Sequence, residues 1–88
     1  MNIIEIVKPY RASINDEILY KCNGSVRIWS EPKPSFDGAI VVDEITTPIN
    51  VTVLEVQKNT DDSLILRAKI HYGEGHEGWV PCLALTDS

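Results

Sequence analysis

The sequence predicts a small all-β domain, with five to seven short antiparallel strands closing into a barrel, and three observations predict it. Short β-branched runs are punctuated by Gly, Pro, Asn and Asp along all 88 residues. No eleven-residue window carries a 3.6-residue apolar period, whereas Leu64, Leu66, Ala68 and Ile70 alternate against Arg67, Lys69 and His71. A chain of this length has room for one core and buries roughly 60% of its unfolded surface, which leaves little stability to spare for a strained active site.

Taken in order, Ile3 to Val7 is the first strand, with Pro9 at its edge or end. Ile14-Asn15-Asp16-Glu17 reads as a turn before Ile18-Leu19-Tyr20-Lys21, and Asn23-Gly24 as another. One helical turn over Asp16 to Lys21 is disfavoured by the β-branched content and the nearby glycine. Val26-Arg27-Ile28-Trp29 puts Val26 and Ile28 on one face and Trp29 on the other. Glu31 to Gly38 is a loop, because Pro32 and Pro34 keep it extended. Ala39 to Ile45 and Asn50 to Gln57 are the next strands, split by Thr47-Pro48. In the second of these, Val51 and Val53 share one face while Leu54 and Val56 share the other. Such a phase change implies burial on both faces or a bulge. Asn59 to Ser63 is a polar turn before the Leu64–Ile70 strand. Tyr72-Gly73-Glu74-Gly75-His76 then makes a hairpin loop, and Gly78-Trp79-Val80-Pro81 leads into a short last segment.

Thirteen acids against eight bases give a net charge of −5. The bases never cluster, and acids lie close to most of them. Nucleic acid, whose binding rests on neutralised phosphates, is therefore not an expected partner, and neither is an anionic membrane. A basic protein surface suits the charge better. The first nine residues are apolar but short, hold Glu5, and lack a basic segment, so they do not read as a signal peptide. The apolar runs are far too short to span a bilayer. A cytoplasmic protein with Cys22 and Cys82 as reduced thiols is the expectation.

Two segments carry a family resemblance. Asp61 to Ile70, the Gly-bearing loop, and Glu77-Gly78-Trp79-Val80-Pro81 follow in the order of the last three strands of SH3 domains, which they resemble. In that arrangement Gly78 permits a close approach, Pro81 stops the strand, and Leu83 and Leu85 close the end of the barrel. The front half admits two registers. Tyr10-Arg11-Ala12, Asp16-Glu17-Ile18 and Lys21-Cys22-Asn23-Gly24 resemble the opening of eukaryotic-type SH3 domains, with 31 to about 60 as an insertion. Alternatively, Val26-Arg27-Ile28-Trp29-Ser30-Glu31-Pro32 resembles the opening of bacterial SH3 domains, and Val51-Thr52-Val53-Leu54-Glu55 their central strand. The second register needs no large insertion and is preferred. It divides the chain into an N-terminal extension, 1–24, whose added strand covers a barrel edge, and an SH3-like barrel, 25–88.

The resemblance implies a non-catalytic protein-binding or assembly module that docks a protein or peptide on a sheet face or an open edge. A cell-wall-peptide targeting module and an acidic inhibitor or immunity-type protein that blocks a basic enzyme are the alternatives. The aromatic groove for proline-rich peptides is not reproduced: Leu64 or Ile65 stands where its tryptophan is expected, and Ala84 where its tyrosine is. Tyr10, Trp29, Tyr72 and Trp79 remain the candidate ligand-binding residues, since exposed aromatics anchor interfaces. Packing inside the barrel competes with that role, most of all for Trp79, and Tyr72 is placed in the hairpin loop. Cys22, His71, His76 and Cys82 bear zinc-ligating atoms but lack Cys-x-x-Cys or His-x-x-x-His spacing, so no metal or other cofactor is expected. No nucleophile motif, oxyanion loop or paired-carboxylate arrangement is visible, and no enzymatic activity is expected.

Overall fold

The computed structural model describes residues 2–33, 35–59 and 66–87. Its longest strand, β1 (Asn2–Ile14), runs straight through Pro9 and extends well beyond Val7. It pairs antiparallel with β4 (Ile49–Asn59), and the ladder explains how a proline is tolerated. Ile6 faces Glu55 and Tyr10 faces Val53, so Val7, Lys8 and Pro9 stand opposite Leu54 alone. A bulge asks for no amide donor from Pro9. Leu54 is also the extra residue against β5 (Arg67–Tyr72), between the pairs Val53↔Ile70 and Glu55↔Lys69. The phase change within β4 is thus a bulge, which lets Val51 and Val53 on one side of it, and Val56 on the other, all pack on one core.

Asp16–Lys21 is a helix, α1, and not a strand. The Asn15 side-chain oxygen accepts the Ile18 amide at 2.9 Å, and Asp16 and Glu17 occupy the positive N-terminal end. Lys21 pairs with Glu17 at 3.1 Å one turn back. The Gly24 amide donates to the Leu19 carbonyl at 2.7 Å, with Asn23 and Gly24 both at positive φ, which ends the helix. Leu19 is buried and Ile18 packs on the core, so the helix covers one side of the sheet's interior.

The remaining strands are β2 (Val26–Trp29), β3 (Val41–Ile45), β6 (His76–Pro81) and β7 (Thr86–Asp87). One antiparallel sheet orders them β3-β2-β6-β5-β4-β1-β7. Ile14, Ile28, Val53, Ile70 and Val80 are fully buried, drawn from five different strands, so the sheet curls around a single core. Each half-turn of a strand sends its next side chain to the opposite face, and the residues between them lie on the outside.

The barrel is not closed. β3 and β7 end the sheet on opposite sides, and β7 is two residues long, pairing only with Ala12 and Ser13 of β1. β2 joins β6 through the single pair Trp29↔Trp79. Among the described residues no pairing joins β3 to β7, so the sheet keeps two edges. β5 and β6 are adjacent, from Arg67↔Pro81 to Tyr72↔His76, across a three-residue loop with Gly73 and Gly75 at positive φ. Tyr72 is the last residue of β5 and buried, not a loop residue. Leu83 does not close an end of the sheet; it lies in a 3₁₀ turn, Cys82–Ala84, and is 91% exposed, while Ala84 and Leu85 turn inward. The polar turn at 60–63 and the residues Leu64 and Ile65 lie outside the described residues. Among the described residues no helix is long and apolar enough to cross a membrane.

Candidate functional site

The four aromatics singled out by sequence do not form one surface. Trp29 and Trp79 face each other on the outside of the sheet, the side turned away from Ile28, Ile70 and Val80. Trp79 is only 7% exposed, although it belongs to no part of the main core. The chain after β2 covers this face: Gln57 Nε2 donates to the Pro32 carbonyl at 2.9 Å, and Gln57 Oε1 accepts the Arg67 amide at 3.2 Å. Gln57 is therefore buried with both ends satisfied. Trp29, half-buried, borders an open groove of about 500 Å³ with Asn23, Ser25, Arg27 and Pro81. Tyr10 is half-exposed on β1, beside a smaller depression of about 160 Å³ shared with Cys82 and Leu85.

Tyr72 turns inward, and its hydroxyl donates to Asp43 Oδ2 at 2.8 Å. The bond crosses the concave side of the sheet from β5 to β3, passing over β6 and β2. His76 stacks on the Tyr72 ring with centroids 5.5 Å apart. Burial and the Asp43 carboxylate push the Tyr72 phenol up to about 12. The same hydrogen bond, with a second from the Glu44 amide at 2.8 Å, holds Asp43 below the usual carboxylate range.

Reactive groups are dispersed. Burial pushes the Cys82 thiol up, away from the thiolate a nucleophile needs. Cys22 is exposed at the C-terminal end of α1. Lys69 lies between Glu55 and Glu77 at 3.4 and 3.5 Å, with His71 3.5 Å from Glu77, as a solvated strip on the outer face. Among the described residues no three His, Cys, Asp or Glu side chains are grouped to hold a metal ion.

The surface that sequence reading missed is the free edge at β3. Phe36, in a 3₁₀ turn at Ser35–Asp37, is 86% exposed, and Ile40, Val41 and Val42 are each at least 40% exposed. The segment is held in place by the Ser30 amide on the Ile40 carbonyl at 2.9 Å and the Ile40 amide on Ser30 Oγ at 3.0 Å. Ile45 alone in β3 is buried. Next along the edge come Asp43 and Glu44, with Arg27 3.9 Å from Glu44 across the pair of strands. Among the described residues no strand pairs with the outer side of β3. The signal in the sequence was the unbroken apolar run Ala39 to Val42, which a strand of alternating burial would not need.

No family model, curated protein or solved structure matches the chain.

Proposed function

We propose that the chain is a non-catalytic protein-binding module of SH3-like type whose docking surface is the β3 edge. One observation carries the reading: three consecutive apolar side chains, Ile40, Val41 and Val42, stand exposed at the start of β3, which among the described residues has a neighbouring strand on one side only. An unpaired strand offers its amides and carbonyls to an added strand, while the side chains alongside give the contact its apolar area.

The test compares cross-linking at this edge with cross-linking elsewhere. A photoreactive residue at Val42 is expected to capture a defined partner, whereas one at Tyr20, 86% exposed on α1, captures none. Ile40→Ser with Val41→Ser abolishes the capture without unfolding the chain. Equal capture from both positions, or turnover of a substrate that Cys82→Ala abolishes, would overturn the reading.

A further inference from the structure

We propose that the β3 edge receives, by strand addition, an extended segment in which basic and apolar residues alternate. This deepens the binding-module reading and rests on it, since it names the chemistry of the partner at that same edge. Asp43 and Glu44 are neighbours on one strand, so their side chains leave on opposite faces of the sheet. A segment laid beside β3 therefore meets Glu44 with Val41 on the outer face and Asp43, held by Tyr72, with Ile45 on the inner face, so alternation sets its bases against Glu44 and its apolar side chains toward the core side. Asp43 takes its hydrogen bonds from a hydroxyl and an amide, neutral donors that hold it ionised without cancelling its charge. Arg27 approaches Glu44 only at 3.9 Å, from the β2 side, with both side chains half in solvent.

A second copy of the chain fits this edge poorly. No Lys or Arg occurs between Pro34 and Gln57. Antiparallel self-pairing would bring two Asp43 and two Glu44 carboxylates into one ladder, with no base from that segment to meet them. The edge is blunted further by a bulge, because Val41 faces Trp29 while Asp43 faces Ile28, leaving Val42 extra. Charge and bulge together repel indiscriminate pairing and admit a strand of opposite sign. The net charge of −5 attracts such a partner at a distance as well.

Three synthetic peptides of equal length test the proposal against the full, isotope-labelled chain by amide chemical shifts: alternating Lys/Val, alternating Glu/Val, and the Lys/Val peptide with two central valines replaced by proline. The Lys/Val peptide is expected to move the amides of residues 40–45 saturably, at least tenfold more tightly than either of the others. Glu44→Lys reverses the preference between the Lys/Val and Glu/Val peptides, and Glu44→Gln, which adds no charge, weakens it. Equal binding of the Glu/Val peptide at residues 40–45 overturns the basic partner while leaving the edge as the docking surface. Equal binding of the proline peptide overturns strand addition in favour of plain charge attraction. Dimerisation of the chain through residues 40–45 makes the occupant a second copy and overturns the proposal. Silence at residues 40–45 with all three peptides removes the docking surface itself.

Discussion

At the scale of single residues, two contacts hold β2 and β3 to the concave side of the sheet. Gly78 lies beneath Ile28, and a Cβ there would collide with Ile28 Cγ2 and press on the Trp29 carbonyl oxygen at 3.3 Å. Ile28 is fully buried and has nowhere to retreat. Gly78→Ala is expected to cost about 1–3 kcal/mol through overpacking, and Ile28→Ala about 2–5 kcal/mol through the cavity it leaves. Because Ile28→Ala removes the methyl group that Gly78→Ala would strike, the double variant should cost clearly less than their sum in urea unfolding; strict additivity would show that they do not share the space. Tyr72 supplies the second contact. Its phenol titrates higher folded than unfolded, so its contribution is complete below about pH 10 and is lost as the pH rises towards about 12. Asp43 titrates lower when folded, so its contribution is present above its ordinary value of 3.8 and fades as the pH falls. Tyr72→Phe should lose about 0.5–1.5 kcal/mol at neutral pH and show a smaller decline than wild type between pH 10 and 12. A wild-type curve as flat as that of the variant across that window would mean that the phenol is not held by Asp43.

The elements differ in how far the sequence disclosed them, and the differences have physical causes. β2 was legible because Val26 and Ile28 alternate with Arg27 and Trp29, and the β5–β6 hairpin because Gly73 and Gly75 bracket its turn. α1 was not, because six residues hold too few apolar positions to display a period, and the decisive residue is polar: Asn15 caps the helix. Asn15→Ala is therefore expected to cost about 1 kcal/mol in urea unfolding, with Asn15→Asp close to wild type; an equal loss from both would assign Asn15 a role other than capping. Pro9 misled because a proline normally ends a strand, and only the paired strand reveals the bulge that accommodates it. The candidate site was hidden for a related reason. Ile40, Val41 and Val42 look like core residues until the sheet order shows that, among the described residues, no strand lies beyond β3. Trp79 was legible as a residue that packs rather than projects, and it is buried, although on the outer face and not in the main core.

For the molecule as a whole, the open sheet divides stability unevenly. β1, β4 and β5 share long ladders, while the β2–β3 ribbon is joined to β6 by one residue pair, Trp29↔Trp79. Ile28 over Gly78, Tyr72 on Asp43 and the burial of Val26 and Ile45 add to that attachment from inside. Backbone hydrogen bonds near an edge open more readily than those in the middle of a sheet, and local openings cost less than global unfolding. Amide exchange should accordingly be faster in β2 and β3 than in β4 and β5, with the ribbon opening as a unit that includes residues 26–29 and 41–45. A strand added to β3 would bind that ribbon only when it is seated, and would slow its exchange in proportion to occupancy. Uniform protection across all strands would show that burial of Ile28 and Ile45 fixes the ribbon as firmly as the ladders fix the centre. In that case the β3 edge would be a rigid platform, and partner binding would leave exchange in β2 unchanged.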